Sequence, residues 1–391
     1  MIILLTLSIS SYFVFNYIHT ERVDDAVESV ERLQFNAQLS LKKLEEKIKS
    51  DPSLAEDPTV QSDMEVYSNN IKELEQEKNA FINYDWDFLL DREISSIKEQ
   101  IDRSQFSKNM ITWMTSFTEN VYYERLVWLR ENNIRPELPF HFFSELTVYD
   151  QVFDFEEIEE SVTKNHNKYS SSSIYFLYRL FGILFGMIGI GFFLFLFGDI
   201  LTKEGLYRSG SIHFLYTQPI SRGKVIMSKF IAILMSTVLI IIGSALFSIL
   251  LGVMFDRLGA WNYPVLIYEA NESFHFMPML LFIALSASLF FMVLLFCYSL
   301  LFFFSMITKR TVTAIGVTFG AILLGILFSG TADTNLAPYN PFHYFQIYDI
   351  VTMEFAVVHH NFNMTLTNGV LTMGVLSGLL LLGTFGVAKI R

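Results

Sequence analysis

The stretch 199–229 combines basic side chains with a tight turn, and it lies between two apolar segments. Its bases are Lys203, Arg208, Arg222, Lys224 and Lys229, and its acids are Asp199 and Glu204. Arginine and lysine side chains of this kind pair with acidic groups of a partner or with lipid phosphates, and an amphipathic segment at 206–216 can insert apolar side chains into a groove. Residues 221–224 lack the first glycine of a P-loop and the hydroxyl after its lysine. The stretch is therefore suited to binding rather than to nucleotide chemistry.

The same stretch resembles the loop between the second and third spans of ABC-2 type permeases, the membrane subunits of bacterial ABC exporters. The residues that support this resemblance are Glu204, Gly210, Ser211, Leu215, Pro219, Ile220, Ser221, Arg222 and Lys229. The resemblance implies a cytoplasmic coupling loop, with Glu204 near a separate ABC ATPase and the turn at Pro219 directing the chain into the third span. It also implies that ATP and Mg²⁺ bind to that partner, so that this chain is not an enzyme and holds no cofactor. The alternative is an ordinary basic loop on the inner side of a membrane.

Composition indicates a protein that is largely dissolved in lipid. Hydrophobic residues make up 52% of the chain and charged residues 17%. The net charge of −12 is concentrated in residues 20–170, which contain 32 acids and 17 bases, whereas the rest contains 8 acids and 11 bases. No basic face that would favour nucleic acid is evident. The single cysteine, Cys297, excludes a disulfide within the chain and is interpreted as a buried apolar side chain.

Residues 1–18 are apolar, without a basic region before them or a cleavage site after them, and they predict a retained span rather than a signal peptide. Their reach of roughly 27 Å is slightly less than the roughly 30 Å hydrocarbon core. ABC-2 permeases usually place a basic amphipathic helix before this span. Because that helix is missing here, we expect the first span to be truncated at its N-terminus.

Residues 19–172 predict a helical, coiled-coil-like extracytoplasmic domain between the first two spans. Apolar residues recur at spacings of three and four in two successive segments: Val23, Val27, Val30, Ala37, Leu41, Leu44 and Ile48, then Val60, Met64, Tyr67, Ile71, Leu74 and Phe81. Asp57 before Pro58 predicts the N-cap of the second segment. The pair predicts an antiparallel hairpin. A third helix is expected at 85–103, followed by an aromatic part that either caps the hairpin or lies on the bilayer, and by an acidic run at 156–160 interpreted as a solvated helix face.

Residues 173–391 predict the remainder of an all-α polytopic membrane protein with six transmembrane helices. The five further spans are expected at 174–198, 226–254, 276–307, 311–330 and 369–388. If 199–229, Lys309, Arg310 and the C-terminal tail are inside, the inner side holds nine bases and two acids, and the outer connections are mostly acidic. The positive-inside rule then places both termini in the cytoplasm. We expect the protein to lie in the plasma membrane.

Glycines recur four residues apart in three of the spans: Gly182 and Gly186, Gly316 and Gly320, and Gly374 and Gly378. Small residues let helix backbones approach closely, so these pairs predict helix packing, either within one subunit or between two subunits. Clusters of phenylalanine in the spans are interpreted as lipid-facing bulk, although some could line a path for an amphipathic substrate.

The last outer connection contains Asn340, Pro341 and Phe342. Related permeases often have a similar stretch there, and the resemblance implies a short re-entrant or interfacial element that closes the exit. His359 and His360 are adjacent, so they would point about 100° apart on a helix and are interpreted as interfacial polar residues rather than as metal ligands.

The leading functional hypothesis is a permease subunit that works as a dimer, with a second copy or a sister chain, in contact with membrane lipid and a cytoplasmic ABC ATPase. It would export a hydrophobic or amphipathic substrate. The alternative is a surface scaffold or receptor with a helical outer domain and no transport activity. An intramembrane enzyme is disfavoured because the spans are nearly free of ionisable groups.

Overall fold

The computed structural model describes residues 2–106, 115–138, 140, 146–150, 169–200, 222–308, 310–330 and 335–390. The chain is mostly helical. It divides into two compact units: a membrane unit formed by residues 1–15 and 171–391, and an inserted unit formed by residues 16–170. The predicted domain limits, 19 and 172, lie close to this division.

The helices are α1 (Ile2–His19), α2 (Val23–Ser50), α3 (Pro58–Asn83), α4 (Trp86–Phe106), α5 (Ser116–Glu131), α6 (Ser173–Leu184), α7 (Met187–Phe197), α8 (Arg222–Phe255), α9 (Met279–Thr308), α10 (Thr311–Leu327), α11 (Ile347–Val351), α12 (Glu354–Val358) and α13 (Leu366–Ile390). The strands are β1 (Pro264–Tyr268) and β2 (Phe274–Pro278). Single 3₁₀ turns cover Pro52–Glu56, Val148–Asp150, Ala270–Glu272, Ala337–Tyr339 and Pro341–Phe345.

Helices α2 and α3 of the inserted unit pack side by side along the apolar positions that the spacing selects. Val30, Leu74 and Phe81 belong to one buried cluster, which also includes Leu89 of α4. Asp57 accepts a hydrogen bond from the backbone amide of Thr59 at 2.8 Å and caps α3, as the sequence predicts. The pairing agrees with the predicted hairpin, whereas supercoiling of the two helices stays a prediction.

Ion pairs connect each successive pair of helices in the inserted unit. Lys78 of α3 lies 3.7 Å from Glu31 of α2, and Arg92 of α4 lies 2.7 Å from Glu77 of α3. Arg130 of α5 binds Asp91 of α4 through two nitrogens, at 2.7 and 3.2 Å. Because these groups are partly or fully exposed to solvent, each pair contributes little to the stability of the fold. Their contribution is chiefly to fix the order in which the helices pack.

A buried carboxylate joins two segments of the inserted unit by hydrogen bonds. Asp150 is 5% exposed and accepts hydrogen bonds from the backbone amides of Thr115 at 2.8 Å and Thr147 at 2.9 Å. It also accepts from the hydroxyl groups of Thr115, Thr118 and Thr147. These bonds satisfy the buried charge and hold the N-terminus of α5 against the turn at Val148–Asp150.

Among the described residues, four helical segments are long and apolar enough to cross a membrane: Ile2–Ser50, which begins with α1, then Gly223–Phe255, Met279–Thr308 and Leu366–Lys389. A fifth is obtained if α6 and α7 are counted as one span. Helix α10 is apolar but has 17 residues, which corresponds to about 26 Å, less than the roughly 30 Å core. The count of six spans is therefore not confirmed by length and composition.

The predicted second span, 174–198, is interrupted rather than continuous. Helices α6 and α7 meet at an angle of 69°. Gly186 adopts an extended conformation there, with φ −93° and ψ −166°. The chain then turns so tightly that a Cβ on Gly189 would lie 1.7 Å from the carbonyl oxygen of Leu184. Only glycine fits at that position, so the break is a property of the local sequence.

An antiparallel ribbon of β1 and β2, which was not predicted, modifies the expected all-α class. It lies between α8 and α9, with Leu266 paired to Phe276. Asn271 and Glu272 have positive φ values of 61° and 55° in the connecting turn. The amide of Tyr268 donates to the carbonyl of Thr352 at 2.9 Å, which attaches the ribbon to the segment around α11. Hydrophobic alternation over five residues was too short to be separated from the ends of the neighbouring spans.

Candidate functional site

Most of the predicted coupling loop lies outside the described residues. This applies to Glu204, Arg208, Gly210, Ser211, Leu215, Pro219, Ile220 and Ser221. Arg222 begins α8, and only its backbone is described. The structure therefore defines the two ends of the loop, and the roles of its residues stay predictions.

The two ends of the loop are joined by a hydrogen bond. The ammonium Nζ of Lys229, in the second turn of α8, donates to the carbonyl oxygen of Ile200 at 3.1 Å. Ile200 follows α7 by three residues, and its amide donates to the carbonyl of Phe197 at 3.2 Å. A cation beside the carbonyl-rich end of a helix is favourable because those carbonyls have no partner within the helix. The loop thus leaves and re-enters the membrane unit at one place.

Both ends of the loop lie near other apolar helices. Gly198 lies so near α10 that a Cβ would come within 2.3 Å of the Cδ1 atom of Ile315. Gly223, at the start of α8, lies beside the ring of Phe385 in α13, with 3.7 Å between its ideal Cβ position and the ring. The end of the loop at Gly198 is therefore packed closely against α10, and the end at Gly223 lies beside α13.

The segment that was predicted as an exit element forms a capped turn next to α10. Asn340 accepts a hydrogen bond from the amide of Phe342 at 3.1 Å and caps the turn Pro341–Phe345. Its side-chain nitrogen donates to the carbonyl of Ser329 at 3.1 Å, just after α10. Pro341 occupies the first position of the turn, where its fixed φ is compatible with helical geometry. Asn340 thus both starts the turn and attaches it to α10.

Two aromatic side chains of this element fit against glycines. The ring of Phe342 occupies the space where Gly325 of α10 would place a Cβ, at 2.2 Å, and it lies 6.0 Å from the ring of Phe296 in α9. The ring of Tyr344 similarly occupies the space beside Gly369 of α13, at 2.6 Å. Both rings are therefore inserted between the helices rather than resting on them.

Hydroxyl groups fix the same element to its surroundings. The fully buried Tyr344 donates from its hydroxyl to the carbonyl of Pro338 at 2.8 Å. Thr372 of α13 donates to the same carbonyl at 3.0 Å. One carbonyl oxygen thus accepts two hydrogen bonds, which uses both of its lone pairs.

The six glycines predicted to pack helices have different surroundings. Gly182 lies against the ring of Tyr348, with 3.3 Å to its ideal Cβ position, and Gly374 lies against the methyl group of Met292 at the same distance. Gly186 forms the break between α6 and α7. Ideal Cβ atoms on Gly316, Gly320 and Gly378 meet no other atom of the described chain within 4 Å. Close approaches that require glycine also occur at Gly325 and Gly369, and these were missed because neither belongs to a four-residue repeat.

One of the comparisons with known proteins identifies a family. The model of the ABC-2 family transporter proteins matches residues 2–386, nearly the whole chain. No curated protein and no solved structure matches. Together with the apolar helices, the match identifies an integral membrane protein that is a transport component rather than a catalyst. The chain belongs to the ABC-2 transporter family, the membrane components of ABC transporters.

Proposed function

We propose that this chain is the permease subunit of an ATP-driven exporter, moved by a separate cytoplasmic ABC ATPase through the loop 199–229. The observation that best supports this is the hydrogen bond between Lys229 and Ile200, which brings the loop ends together at the junction of α7 and α8. A loop anchored in this way moves two helices at once when a partner pushes on it. ATP and Mg²⁺ are bound by that partner.

The contacts of the loop ends suggest how such a push spreads. Gly198 bears on Ile315 in α10, and Gly223 lies beside Phe385 in α13. The break between α6 and α7 lets the inner half of this segment tilt without moving its outer half, because a helix interrupted at Gly186 does not transmit bending. Alternating access would follow from the tilt of α7, α8 and α10 against the rest.

At the other end of the membrane unit, the element that contains Asn340, Pro341 and Phe342 closes the exit for the substrate. Its aromatic rings are inserted between α9, α10 and α13, so relative motion of these helices would release them. A hydrophobic or amphipathic substrate suits this arrangement, since the closing surface is aromatic and largely buried.

The proposed topology has six crossings, with the bent pair of α6 and α7 as the second and the short α10 as the fifth. Both termini lie in the cytoplasm, and residues 19–172 lie outside the plasma membrane. The functional assembly contains a second permease, either a copy or a sister chain, and two ATPases. The glycines Gly316, Gly320 and Gly378, whose Cβ positions are open in the described chain, are available for helix packing in that assembly.

Co-purification and ATPase activity test the coupling. The tagged permease should retain an ABC ATPase in mild detergent, and the reconstituted complex should hydrolyse ATP faster than the ATPase alone. The variants E204Q and R222Q should lower that stimulation about tenfold. If no nucleotide-binding protein is retained and the substitutions are silent, the chain is better described as a surface scaffold without transport activity.

Cysteine labelling tests the topology independently. Cys297 is buried, so background labelling in intact cells should be low. An impermeant maleimide should label N69C, at an exposed position of α3, from outside the cell. It should label S221C only after the membrane is permeabilised. The opposite pattern would exclude both the coupling loop and the extracytoplasmic domain.

A further inference from the structure

Arg179 is unusual among the residues of the apolar helices. In the described parts of α1, α6 to α10 and α13, the other charged residues lie near helix ends. Three are in the first turns of α8, namely Arg222, Lys224 and Lys229, and one, Lys389, is at the end of α13. Arg179 instead lies six residues after the start of α6, about 9 Å along the helix axis. A charged side chain in a membrane-spanning segment is costly, and where one occurs it usually serves a binding or transport role.

The side chain of Arg179 lies between α6 and α1. Its Nε donates a hydrogen bond to the hydroxyl oxygen of Tyr12 at 3.3 Å, and it makes further contacts. The two helices pack tightly here, since the rings of Phe13 and Phe176 meet edge to face at 5.0 Å. The ring of Tyr12 is tilted against that of Phe176 at 5.7 Å. The position of the guanidinium is therefore set by packed aromatic side chains on both helices.

The chemistry of this pair suits an anionic oxygen group. A guanidinium presents its N–H donors in a planar fork that matches phosphate or carboxylate oxygens. A phenolic hydroxyl that accepts a hydrogen bond can at the same time donate its own proton to an acceptor. Arg179 is half-buried, so it is neither sealed in the interior nor fully exposed. Its long side chain can keep the charged end near the membrane interface while its stem lies among apolar groups.

We propose that Arg179 and Tyr12 bind the phosphate or carboxylate of an amphipathic molecule in the outer half of the membrane. The placement in the outer half rests on the topology proposed above, whereas the binding itself does not require transport. The anionic group has two sources, the headgroup of a membrane lipid or the polar end of the exported substrate. In both cases the apolar tail would lie along the exposed surface of α1, which includes Leu4 and Leu7.

The first arm of the test measures thermal unfolding of the purified full chain in nanodiscs. Phosphatidylcholine discs are compared with discs that also contain phosphatidylglycerol. The wild-type midpoint should rise by roughly 2–4 °C in the anionic discs. R179Q should lose this rise, R179K should keep part of it because the charge remains, and Y12F should reduce it. R310Q, which removes a cation at the start of α10, is the matched control and should keep the rise.

The second arm distinguishes the two sources. Dodecyl phosphate or, as an uncharged control, dodecanol is added to discs of phosphatidylcholine alone. A saturable rise of the midpoint with dodecyl phosphate that R179Q abolishes assigns the site to an amphipathic substrate. A dependence on Arg179 that is seen with phosphatidylglycerol only assigns it to a lipid. If R179Q responds like the wild type in both arms, the proposal is wrong. Neither arm requires the ATPase, so these outcomes are independent of the coupling experiments.

Discussion

The ammonium of Lys229 and the carbonyl oxygen of Ile200 lie 3.1 Å apart, although 29 positions separate them in the chain. This contact helps to hold together the two places where the proposed coupling loop leaves and re-enters the membrane unit. A hydrogen bond with a charged donor stabilises by about 1.5–3 kcal/mol. Its removal should therefore loosen the junction of α7 and α8 without disturbing the apolar packing further along either helix.

The variant K229M should uncouple the ATPase from the permease. Methionine keeps the apolar stem of lysine but removes the charge and the donors, so the loop ends separate. We expect the permease-stimulated ATPase rate to fall about tenfold, the change that corresponds to about 1.4 kcal/mol, while the complex still assembles. The matched control is K224M, because Lys224 is exposed in the preceding turn of the same helix. Equal rates in K229M and K224M would show that the bond has no role in coupling.

The variant G325A should displace the exit element. Its Cβ would lie 2.2 Å from the ring of Phe342, so the ring must leave its place between α9 and α10. Overpacking of this kind costs about 1–3 kcal/mol. We expect a lower thermal midpoint and faster maleimide labelling of a cysteine introduced at Tyr339, which is 71% exposed.

A control on the same helix makes this prediction specific. In G320A the added methyl group meets no described atom within 4 Å, so the midpoint should be unchanged or slightly higher, as expected for alanine in a helix. The double variant G325A/F342A should recover stability because the clash is removed. If G325A and G320A behave alike, the inserted ring is not important for closing the exit.

The variant G189A should prevent the tight break between α6 and α7. The obstacle is a backbone atom, the carbonyl oxygen of Leu184 at 1.7 Å from the new Cβ, and a backbone atom cannot move aside as a side chain does. We expect a loss of more than about 3 kcal/mol, visible as poor yield and early thermal aggregation. The matched control is G243A in α8, where the Cβ position is open in the described structure. Normal folding of G189A would mean that the segment can form a continuous span.

The variant D150N should destabilise the inserted unit. The carboxylate accepts bonds from the amides of Thr115 and Thr147 and from their hydroxyl groups, and an amide nitrogen in place of one oxygen cannot accept them. Buried donors left unsatisfied cost about 1–3 kcal/mol each. Limited proteolysis of the full chain should show earlier cleavage within residues 16–170. D63N, at an exposed position of α3, is the control and should be cleaved like the wild type.

Helix pairing in the inserted unit could be predicted from the sequence, whereas contacts between separate segments of the chain could not. The seam that contains Val30 and Leu74 could be found because helix pairing repeats every three to four residues. The close contacts at Gly325 and Gly369 could not be predicted, since each depends on one aromatic ring from another segment of the chain. Arg179 lies within the predicted span 174–198, yet its role could not be predicted because its neighbour Tyr12 lies on another helix.

The break at Gly186 shows a different limit. Hydropathy alone treats residues 174–198 as one span, because the residues on both sides of the break are equally apolar. The signal that was available is Gly189, three residues after Gly186, but glycine is common in membrane helices and does not by itself indicate a break. The family resemblance predicts the membrane component of a transporter. The contacts that determine its geometry, in contrast, are seen only in the structure.

The exit element should be sensitive to pH because it contains the buried imidazole of His343. Burial lowers the pKa of His343 below its ordinary value of about 6.5, and the nearby His359 lowers it further. The Nε2 atom of His343 is buried and has no hydrogen-bond partner among the described residues. The rings of His343 and His359 lie on Phe355, with centroids 5.9 and 4.3 Å away. A proton on His343 would therefore be poorly solvated and close to a second imidazole.

The sign of the effect follows from proton binding. Between the lowered pKa and about pH 6.5, the unfolded chain binds more protons at His343 than the folded chain does, so stability is lost as the pH falls through this window. The midpoint of the wild type should decrease from pH 7.5 to pH 5, and labelling at Y339C should accelerate. H343Q should flatten both profiles because it removes the titrating group, and H359Q should flatten them less. Parallel profiles in the wild type and H343Q would assign the pH dependence to other groups and exclude His343 as its source.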